Sequence, residues 1–330
     1  MTTENLVKIK MIKSFLLLFS IITLWLLPIE PLSAQGPPLP ELIQQTRFIA
    51  YTPSSFAISA SKVTAAGKSG IRDDLTLLRP FFDGLITYSA TSGLEAIPQT
   101  AHELGYRAVI LGIWDPTSET EIQNVVQAVK KYPQLIAAVI VGNEGLYSKR
   151  YQMQDVQATM RRLKKEFPRL ALTTSEPFYL YFKTEYSQFF NGHDLLMPNI
   201  HPVFEKWFTP ENPAQGVDMV IEMVGKFRSN FDKPLLVKET GMPGSSGRNG
   251  SPKDGFSQKQ QAQFWADLLQ RFPYSSSQSL ACFEAFDAPW KPMEMGRILP
   301  GDHSKEAFWG FFTQDYKKKQ VVDRLKRFEK

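Results

Sequence analysis

Eight short apolar segments, separated by longer amphipathic ones, are the feature that most constrains the fold of this 330-residue chain. Several of the short segments are rich in β-branched residues and nearly continuous, as is typical of strands that are buried on both faces. The eight strand candidates are Phe48–Tyr51, Gly84–Tyr88, Arg107–Trp114, Ile136–Gly142, Leu170–Thr174, Leu195–Ile200, Leu235–Lys238 and Leu280–Phe286.

Segments with helical periodicity lie between these strands. They are Ile71–Arg79, Leu94–Leu104, Glu119–Lys131, Asp155–Phe167, Val217–Phe231, Gln260–Phe272 and Val321–Phe328, with Tyr179–Phe190 the least regular. Eight repeats of strand and helix predict an α/β fold, a single (β/α)₈ TIM barrel spanning 47–330. A doubly wound sheet is the alternative. It usually has a glycine-rich turn after its first strand, whereas Thr52 and Pro53 follow the first strand here.

The N-terminal region has the composition of an export signal. Three lysines precede the apolar stretch Phe15–Leu27, which leads to small residues ending at Ala34. This pattern predicts a signal peptide over 1–34, followed by a proline-rich linker over 35–46. An uncleaved membrane anchor is the alternative, although the apolar stretch is shorter than the roughly 20 residues of a spanning helix. We expect a secreted, periplasmic or cell-surface protein.

Charge and cysteine content exclude several kinds of protein. A net charge of +5, spread along the chain, does not indicate nucleic-acid binding. We interpret the basic run 317–319 as the solvated face of a helix, with a patch for an anionic partner as the alternative. The only cysteine, Cys282, excludes an internal disulfide and is expected to be a buried hydrophobic residue. Metal-binding spacings are absent from the sequence, and we expect a monomer without metal or cofactor.

Glutamates stand at the C-terminal ends of four predicted strands, where TIM barrels carry their functional residues. Glu144 and Glu239 follow the fourth and seventh strands, Glu176 follows the fifth, and Glu284 lies near the end of the eighth. Glycoside cleavage with retention uses two carboxyl groups about 5–5.5 Å apart. The positions predict Glu144 and Glu239 as a catalytic pair, with two surface carboxylates as the alternative. For Glu176, substrate contact and a salt bridge at the rim remain equally open.

Short motifs follow the strand ends in order. They are Ile86-Thr87-Tyr88-Ser89, Leu111-Gly112-Ile113-Trp114, Gly142-Asn143-Glu144, Thr173-Thr174-Ser175-Glu176-Pro177, Glu239-Thr240-Gly241-Met242-Pro243, Phe283-Glu284-Ala285-Phe286-Asp287-Ala288-Pro289-Trp290-Lys291 and Phe308-Trp309-Gly310. Each is weak alone, but the series, from about residue 48 to 315, resembles glycoside hydrolase family 17, and its bacterial branch more than the plant one. The resemblance implies a retaining glycosidase that cleaves β-1,3-linked glucan by double displacement, or a transglycosylase with the same residues. A non-catalytic glucan-binding barrel is the third alternative.

The resemblance also implies roles for the matching residues. Glu144 matches the acid/base, Glu239 the nucleophile, and Asn143 the asparagine that binds the sugar 2-hydroxyl. The positions that match the lining of the subsite at the cleaved bond are Tyr88, Glu284 and Lys291, with Trp290 as a stacking wall. From its place at a strand end, His201 is expected either to contact the sugar or to be a packed structural histidine.

The catalytic roles set requirements for the two pKa values. Apolar neighbours should raise the pKa of Glu144, which must be protonated at rest. A nearby tyrosine or lysine should keep Glu239 ionised. Two residues depart from the family pattern: Met242 replaces a usual Trp, and Gly145 a usual larger apolar residue. We expect these departures to affect substrate fit, and the loss of the Trp to weaken stacking in one subsite.

Overall fold

Seven parallel strands form one curled sheet in the computed structural model, which describes residues 38–60, 62–245, 255–298 and 300–326. The strands are β1 (Phe48–Ala50), β4 (Gly84–Ile86), β5 (Ala108–Ile113), β6 (Ile136–Asn143), β7 (Ala171–Ser175), β8 (Leu235–Val237) and β9 (Gln278–Cys282). Their order is β7-β6-β5-β4-β1-β9-β8. After β1, the strands β2 (Ala57–Ser59) and β3 (Lys62–Thr64) form a separate antiparallel pair that the sequence did not predict.

The segment 195–200 lies between β7 and β8 and closes the ring. Parallel bridges pair Pro177 with Asn199 and Leu196 with Leu235. The backbone N–H of Lys238 donates to the carbonyl of Pro198 over 3.0 Å. A proline has no N–H to donate, which interrupts the ladder in this segment. All eight predicted strand positions therefore belong to one barrel, and the predicted fold is confirmed.

Helices pack around the ring. Their bounds are Leu39–Gln45, Lys68–Leu78, Ile97–Glu103, Glu119–Lys131, Met153–Glu166, Ser187–Asn191, Pro213–Asn230, Gln258–Arg271 and Lys291–Ile298. Helix Glu119–Lys131 matches its prediction because its signals agree: Ser118 caps its N-terminus and its apolar stripe is buried. No helix within the described ranges has the length and apolar character needed to cross a membrane.

Two predicted helices differ from the structure, and one helix was not predicted. Phe178–Phe182 and Thr184–Tyr186 are 3₁₀ turns rather than parts of one helix, and only Ser187–Asn191 is α-helical. The final predicted helix is a 3₁₀ turn over Gln320–Arg324, and 327–330 lie outside the described residues. Helix Lys291–Ile298 was not predicted, because Pro292 and Gly296 obscure its periodicity.

The apolar core has two layers, one between the sheet and the helices and one inside the barrel. Leu42 and Ile43, from helix Leu39–Gln45, pack with the interior residues. This helix lies within 35–46, the segment predicted as a proline-rich linker. Pro40 lies in the first turn of the helix, where proline is tolerated. The predicted signal segment 1–34 lies outside the described residues.

Two further expectations concern buried residues. Cys282 is buried as expected, and burial raises the pKa of its thiol to about 12. Lys319 contradicts the expected solvated face, because it is only 3% exposed and donates to Asp287 over 2.8 Å. Lys317 and Lys318 pair with Asp315 and Asp323 in more exposed positions, so the basic run is not one uniform surface.

Candidate active site

Glu144 follows the last residue of β6, in a sharp turn of the backbone. Gly142 and Glu144 both have positive φ angles, of 86° and 51°. The N–H of Glu144 donates to the carbonyl of Ser175 over 2.8 Å, which ties the turn to the end of β7. A Cβ at Gly145 would lie 1.9 Å from the ring of Tyr151, so the aromatic ring occupies the space that a larger residue at 145 would need. The departure at Gly145 is therefore compensated by Tyr151.

The two predicted catalytic carboxylates lie close together. One oxygen of Glu144, one oxygen of Glu239 and a ring nitrogen of His201 are all within 4.8 Å of one another. Such proximity fits the separation of about 5–5.5 Å that retaining glycosidases use, and is shorter than the roughly 6.5–9.5 Å of inverting ones.

Two cationic or donor groups surround Glu239. Lys238 donates from Nζ to one carboxylate oxygen, and Nε2 of His201 lies 3.3 Å from the other. Burial alone raises the pKa of Glu239, but Lys238 and then His201 outweigh it, and the net pKa lies well below its usual range. Because an ionised carboxylate only accepts hydrogen bonds, Nε2 of His201 must carry a proton.

Glu144 is in the opposite electrostatic situation. Burial and then the negative charge of Glu239 raise its pKa, and these effects outweigh the hydrogen bond that Asn199 donates to Oε1 over 2.7 Å. The site therefore separates the pKa values of two neighbouring carboxyl groups in opposite directions. Such a separation is the pattern by which one glutamate becomes an acid and the other stays ionised.

Asn143 is held by its side-chain oxygen. Oδ1 accepts from Nζ of Lys238 over 2.8 Å and from Nδ2 of Asn199 over 3.4 Å. An ammonium group only donates, so the atom that faces Lys238 must be the amide oxygen. No acceptor for Nδ2 of Asn143 lies among the described residues, so its donors are left for a ligand.

Tyr88, Glu284 and Lys291 lie beside the pair, as the motifs predicted. The ring of Tyr88 lies 4.1 Å from Nζ of Lys238, and burial, then Glu239 and Glu284, raise the pKa of its hydroxyl. Lys291 donates to Oε1 of Glu284 over 2.5 Å. Burial raises the pKa of Glu284 to about 6, although Lys291 opposes the shift.

Aromatic side chains are exposed in the loops around this site. Trp290 is half-buried, with its ring edge-to-face against Phe56 at 5.6 Å. Large aromatic residues exposed in loops that follow strands are Trp114, Tyr147, Tyr179, Phe204 and Trp207. Their apolar faces suit the C–H faces of sugar rings.

The structure brings the predicted residues other than Trp290 together and adds two. Lys238 and Asn199 hold the reactive groups, and neither was predicted as a site residue. Two sequence features could have identified them. Lys238 is a lone charged residue at the end of an apolar strand, and Asn199 is an asparagine at the end of the next strand in the ring. His201, expected to be either a sugar contact or a structural residue, is bonded to the nucleophile candidate.

Two residues singled out in the sequence have structural positions. Glu176 is fully buried and accepts from the N–H groups of Leu146 and Tyr147, over 3.0 and 3.2 Å. It therefore holds the loop after Glu144, a role that neither expectation for it described. Met242 is fully buried in the outer core layer, so it presents no surface for stacking on a sugar.

Glu144, His201 and Glu239 also offer the donor atoms that a metal ion uses. The ammonium of Lys238 already bonds Glu239, and its positive charge opposes a second cation at the same carboxylate. The expectation that the protein uses no metal stays a prediction.

Sequence comparisons match this chain to glycoside hydrolases. Residues 49–310 match the profile of the BtgE/BtgC glycoside hydrolase domain. A glucan 1,3-beta-glucosidase of Arthroderma benhamiae is 25% identical over 308 residues, which cover 84% of this chain and 97% of the relative. A probable beta-glucosidase btgE of Aspergillus oryzae is 26% identical over 255 residues, covering 75% of this chain but only 40% of the relative.

Two solved structures share the fold over most of the chain. A glycoside hydrolase family 17 β-1,3-glucanosyltransferase from Rhizomucor miehei has a TM-score of 0.60 at 20% identity, covering 84% of this chain and 97% of that one. An endo-laminarinase from Formosa Hel1_33_131 has a TM-score of 0.65 at 17% identity, covering 84% and 85%.

Proposed function

The chain belongs to the family of the BtgE/BtgC glycoside hydrolase domain, and we propose that it cleaves β-1,3-linked glucan with retention of configuration at the anomeric carbon. The observation that carries the proposal is the pair Glu144 and Glu239, whose oxygens approach within 4.8 Å while their pKa values move in opposite directions. The names of the relatives, a glucan 1,3-beta-glucosidase and an endo-laminarinase among them, support the choice of β-1,3-glucan as substrate.

In the first step of the proposed reaction, a carboxylate oxygen of Glu239 attacks the anomeric carbon. The bond from that carbon to the glycosidic oxygen breaks, and the leaving oxygen takes the proton of Glu144. The products of this step are a covalent glycosyl ester at Glu239, a free sugar hydroxyl and an ionised Glu144.

In the second step, Glu144 acts as a base. It takes a proton from an incoming water or sugar hydroxyl, whose oxygen attacks the anomeric carbon. The bond to Glu239 breaks, which returns Glu239 to its ionised form and Glu144 to its protonated form. Two inversions at one carbon give net retention.

The surrounding residues match these steps. The free Nδ2 of Asn143 is placed to donate to the sugar 2-hydroxyl, a contact that strengthens as positive charge develops on the ring. Tyr88, Glu284 and Lys291 would bind the sugar at the cleaved bond, and Trp290 would pack against a ring face. His201 holds the carboxylate oxygen of Glu239 that Lys238 does not contact.

Transfer to a sugar is the second candidate function, and the Rhizomucor miehei β-1,3-glucanosyltransferase supports it. Hydrolysis and transfer share every step and differ only in the molecule, water or sugar, whose hydroxyl attacks.

Incubation with linear β-1,3-glucan oligosaccharides and chromatography of the products would distinguish them. Products that are all shorter than the substrate indicate hydrolysis, and products longer than it, formed beside the short leaving fragment, indicate transfer. An intact substrate, under conditions where a family 17 control enzyme cleaves it, would contradict the proposal. Such a result would favour a glucan-binding barrel, which the intact carboxylate pair argues against.

We also propose that the protein works outside the cytoplasm as a monomer. The basic and apolar pattern of 1–34 supports export, and a polysaccharide substrate is consistent with it. Fractionation of cells that express the full chain, with N-terminal sequencing of the exported form, tests both export and cleavage after Ala34.

A further inference from the structure

Lys238 points into the barrel beneath the catalytic pair. It follows Leu236 by two residues, and Leu236 is part of the interior core layer. Successive residues of a strand alternate between faces, so Lys238 also faces the interior. The Lys238 side chain is fully buried, and an ammonium group is costly to bury unless nearby groups compensate its charge.

Three groups compensate the charge of Lys238. Nζ donates to Glu239, donates to Oδ1 of Asn143 over 2.8 Å, and lies 4.1 Å from the ring centre of Tyr88. Burial lowers the pKa of Lys238, and Glu239 and then Glu144 oppose the shift. The hydrogen bonds connect the cation to the nucleophile and to the sugar-binding amide of the proposed reaction, and the acid/base acts on it through its charge.

We propose that Lys238 is a positioning residue whose single positive charge balances the one negative charge that the carboxylate pair carries throughout the reaction. This inference rests on the proposed function. At rest the negative charge is on Glu239 and Glu144 holds a proton. In the glycosyl-enzyme Glu239 is a neutral ester, and the negative charge has moved to Glu144. The total charge of the three groups is therefore unchanged in both states.

Lys238 has a second effect, on Asn143. Because the ammonium occupies the amide oxygen, it fixes the amide orientation in which the nitrogen faces the cleft. One side chain thus sets the ionisation of the nucleophile and the direction of the donor to the sugar 2-hydroxyl.

The variants that test this are Lys238→Met, which removes the charge and the donor, and Lys238→Gln, which removes only the charge. Lys319→Met is the matched control, because Lys319 is also buried and donates to a carboxylate, Asp287, over 2.8 Å outside the catalytic pair. The charged or titratable groups that face Glu239 are Lys238, His201, Tyr88, Glu144 and Glu284, and Lys291 bonds Glu284. Only Lys238 is changed in the two test variants.

The first readout is the dependence of kcat/KM on pH with a β-1,3-glucan oligosaccharide. In both Lys238 variants we expect the acid limb to move to higher pH, because Glu239 loses the cation that keeps it ionised. We expect kcat/KM at the optimum to fall about 100-fold, the size typical for loss of one charge-stabilising group. In the control Lys319→Met, the acid limb of the pH profile should lie at the same pH as in the wild type.

The second readout needs no substrate. Carboxyl ¹³C NMR of glutamate-labelled protein follows the ionisation of Glu239, whose signal is the one missing from Glu239→Gln. A higher titration midpoint in both Lys238 variants supports the inference, even if the wild type leaves β-1,3-glucan uncleaved and the proposed substrate is wrong. An unchanged midpoint in a folded variant overturns the inference, whatever the activity.

A third test applies if the Lys238 variants do not fold. If neither Lys238→Met nor Lys238→Gln folds, the double variant Lys238→Met/Glu239→Gln removes both charges together. Recovery of the fold in the double variant supports charge balance, and failure to fold overturns it.

Discussion

Asn199 donates a hydrogen bond from Nδ2 to Oε1 of Glu144 over 2.7 Å, and its own Oδ1 accepts from Ser175 over 2.9 Å. A protonated carboxyl group accepts through its carbonyl oxygen and donates through its hydroxyl oxygen. Oε1 is therefore the carbonyl oxygen at rest, and the proton lies on Oε2. The hydrogen bond from Asn199 therefore determines which oxygen of Glu144 carries the proton that the proposed reaction transfers.

Replacement of Asn199 by alanine should weaken the acid in two ways. We expect kcat/KM to fall roughly 10-fold to 100-fold, as a hydrogen bond to an ionisable group is commonly worth about 1.5–3 kcal/mol. The hydrogen bond lowers the pKa of Glu144, so its loss should raise that pKa. Activity needs the protonated form, and the basic limb of the pH profile should therefore move to higher pH.

Ser175→Ala is the matched control for this prediction. It leaves Asn199 in place but removes the hydroxyl that orients its amide, so we expect a smaller change in the same direction. A basic limb that stays in place in Asn199→Ala would show that this hydrogen bond does not set the pKa of the acid.

Glu239→Ala should abolish cleavage of β-1,3-glucan, with a loss on the order of 10⁴-fold or more. Circular dichroism should show the native fold, because Lys238 keeps its contacts with Asn143 and Tyr88. Azide fits the space left by the carboxylate and should restore turnover of an activated β-glucoside, giving an α-glycosyl azide. Full activity without azide would exclude Glu239 as the nucleophile.

Glu144 and Glu239 were predictable because their signal is local: an apolar strand that ends abruptly at a carboxylate. The roles of Lys238 and Asn199 were not, because they depend on contacts across the barrel. Lys238 reaches Asn143, which is 95 residues away in the chain, and Asn199 reaches Glu144 across 55 residues. Strand positions can be read from apolar runs, but the direction of a side chain at a strand end depends on the neighbouring strands.

The predictions for two buried charged residues were wrong or incomplete because tertiary contacts determine their positions. Lys319 lies in a basic run, yet its side chain is buried and donates a hydrogen bond to Asp287. Glu176 stands at a strand end like the catalytic pair, but the nearby N–H groups of Leu146 and Tyr147 make it a support for a loop. Met242 is buried in the outer core layer, and the expected effect of its replacing a Trp on substrate fit stays a prediction.

The buried carboxyl group of Glu176 should make stability depend on pH. Burial raises its pKa to about 7 in the folded protein, above the ordinary value of 4.5. Between these two values the folded state binds more protons than the unfolded state, so stability decreases as pH rises from 4.5 to 7. The contribution of this group over that interval is roughly 3 kcal/mol.

Glu176→Gln isolates this contribution. Glutamine keeps one acceptor for the loop N–H groups but does not titrate, so we expect the variant to lose less stability than the wild type between pH 4 and pH 8. Urea unfolding at a series of pH values measures the difference. Parallel pH dependences in the two proteins would show that Glu176 does not hold a proton in the folded state.

Trp290→Ala should affect substrate binding more than chemistry. The ring is half-buried against Phe56, beside the Lys291 that holds Glu284, and it has no contact with the carboxylate pair among those described. Loss of a stacking surface should raise KM about 10-fold, the order expected for removing one aromatic contact, while kcat changes little.

Phe56→Leu is the control, since it removes the ring that supports Trp290 and should give a smaller rise in KM. Steady-state kinetics with β-1,3-glucan oligosaccharides of increasing length provides the measurement. A fall in kcat at unchanged KM would instead place Trp290 among the residues that act in the transition state.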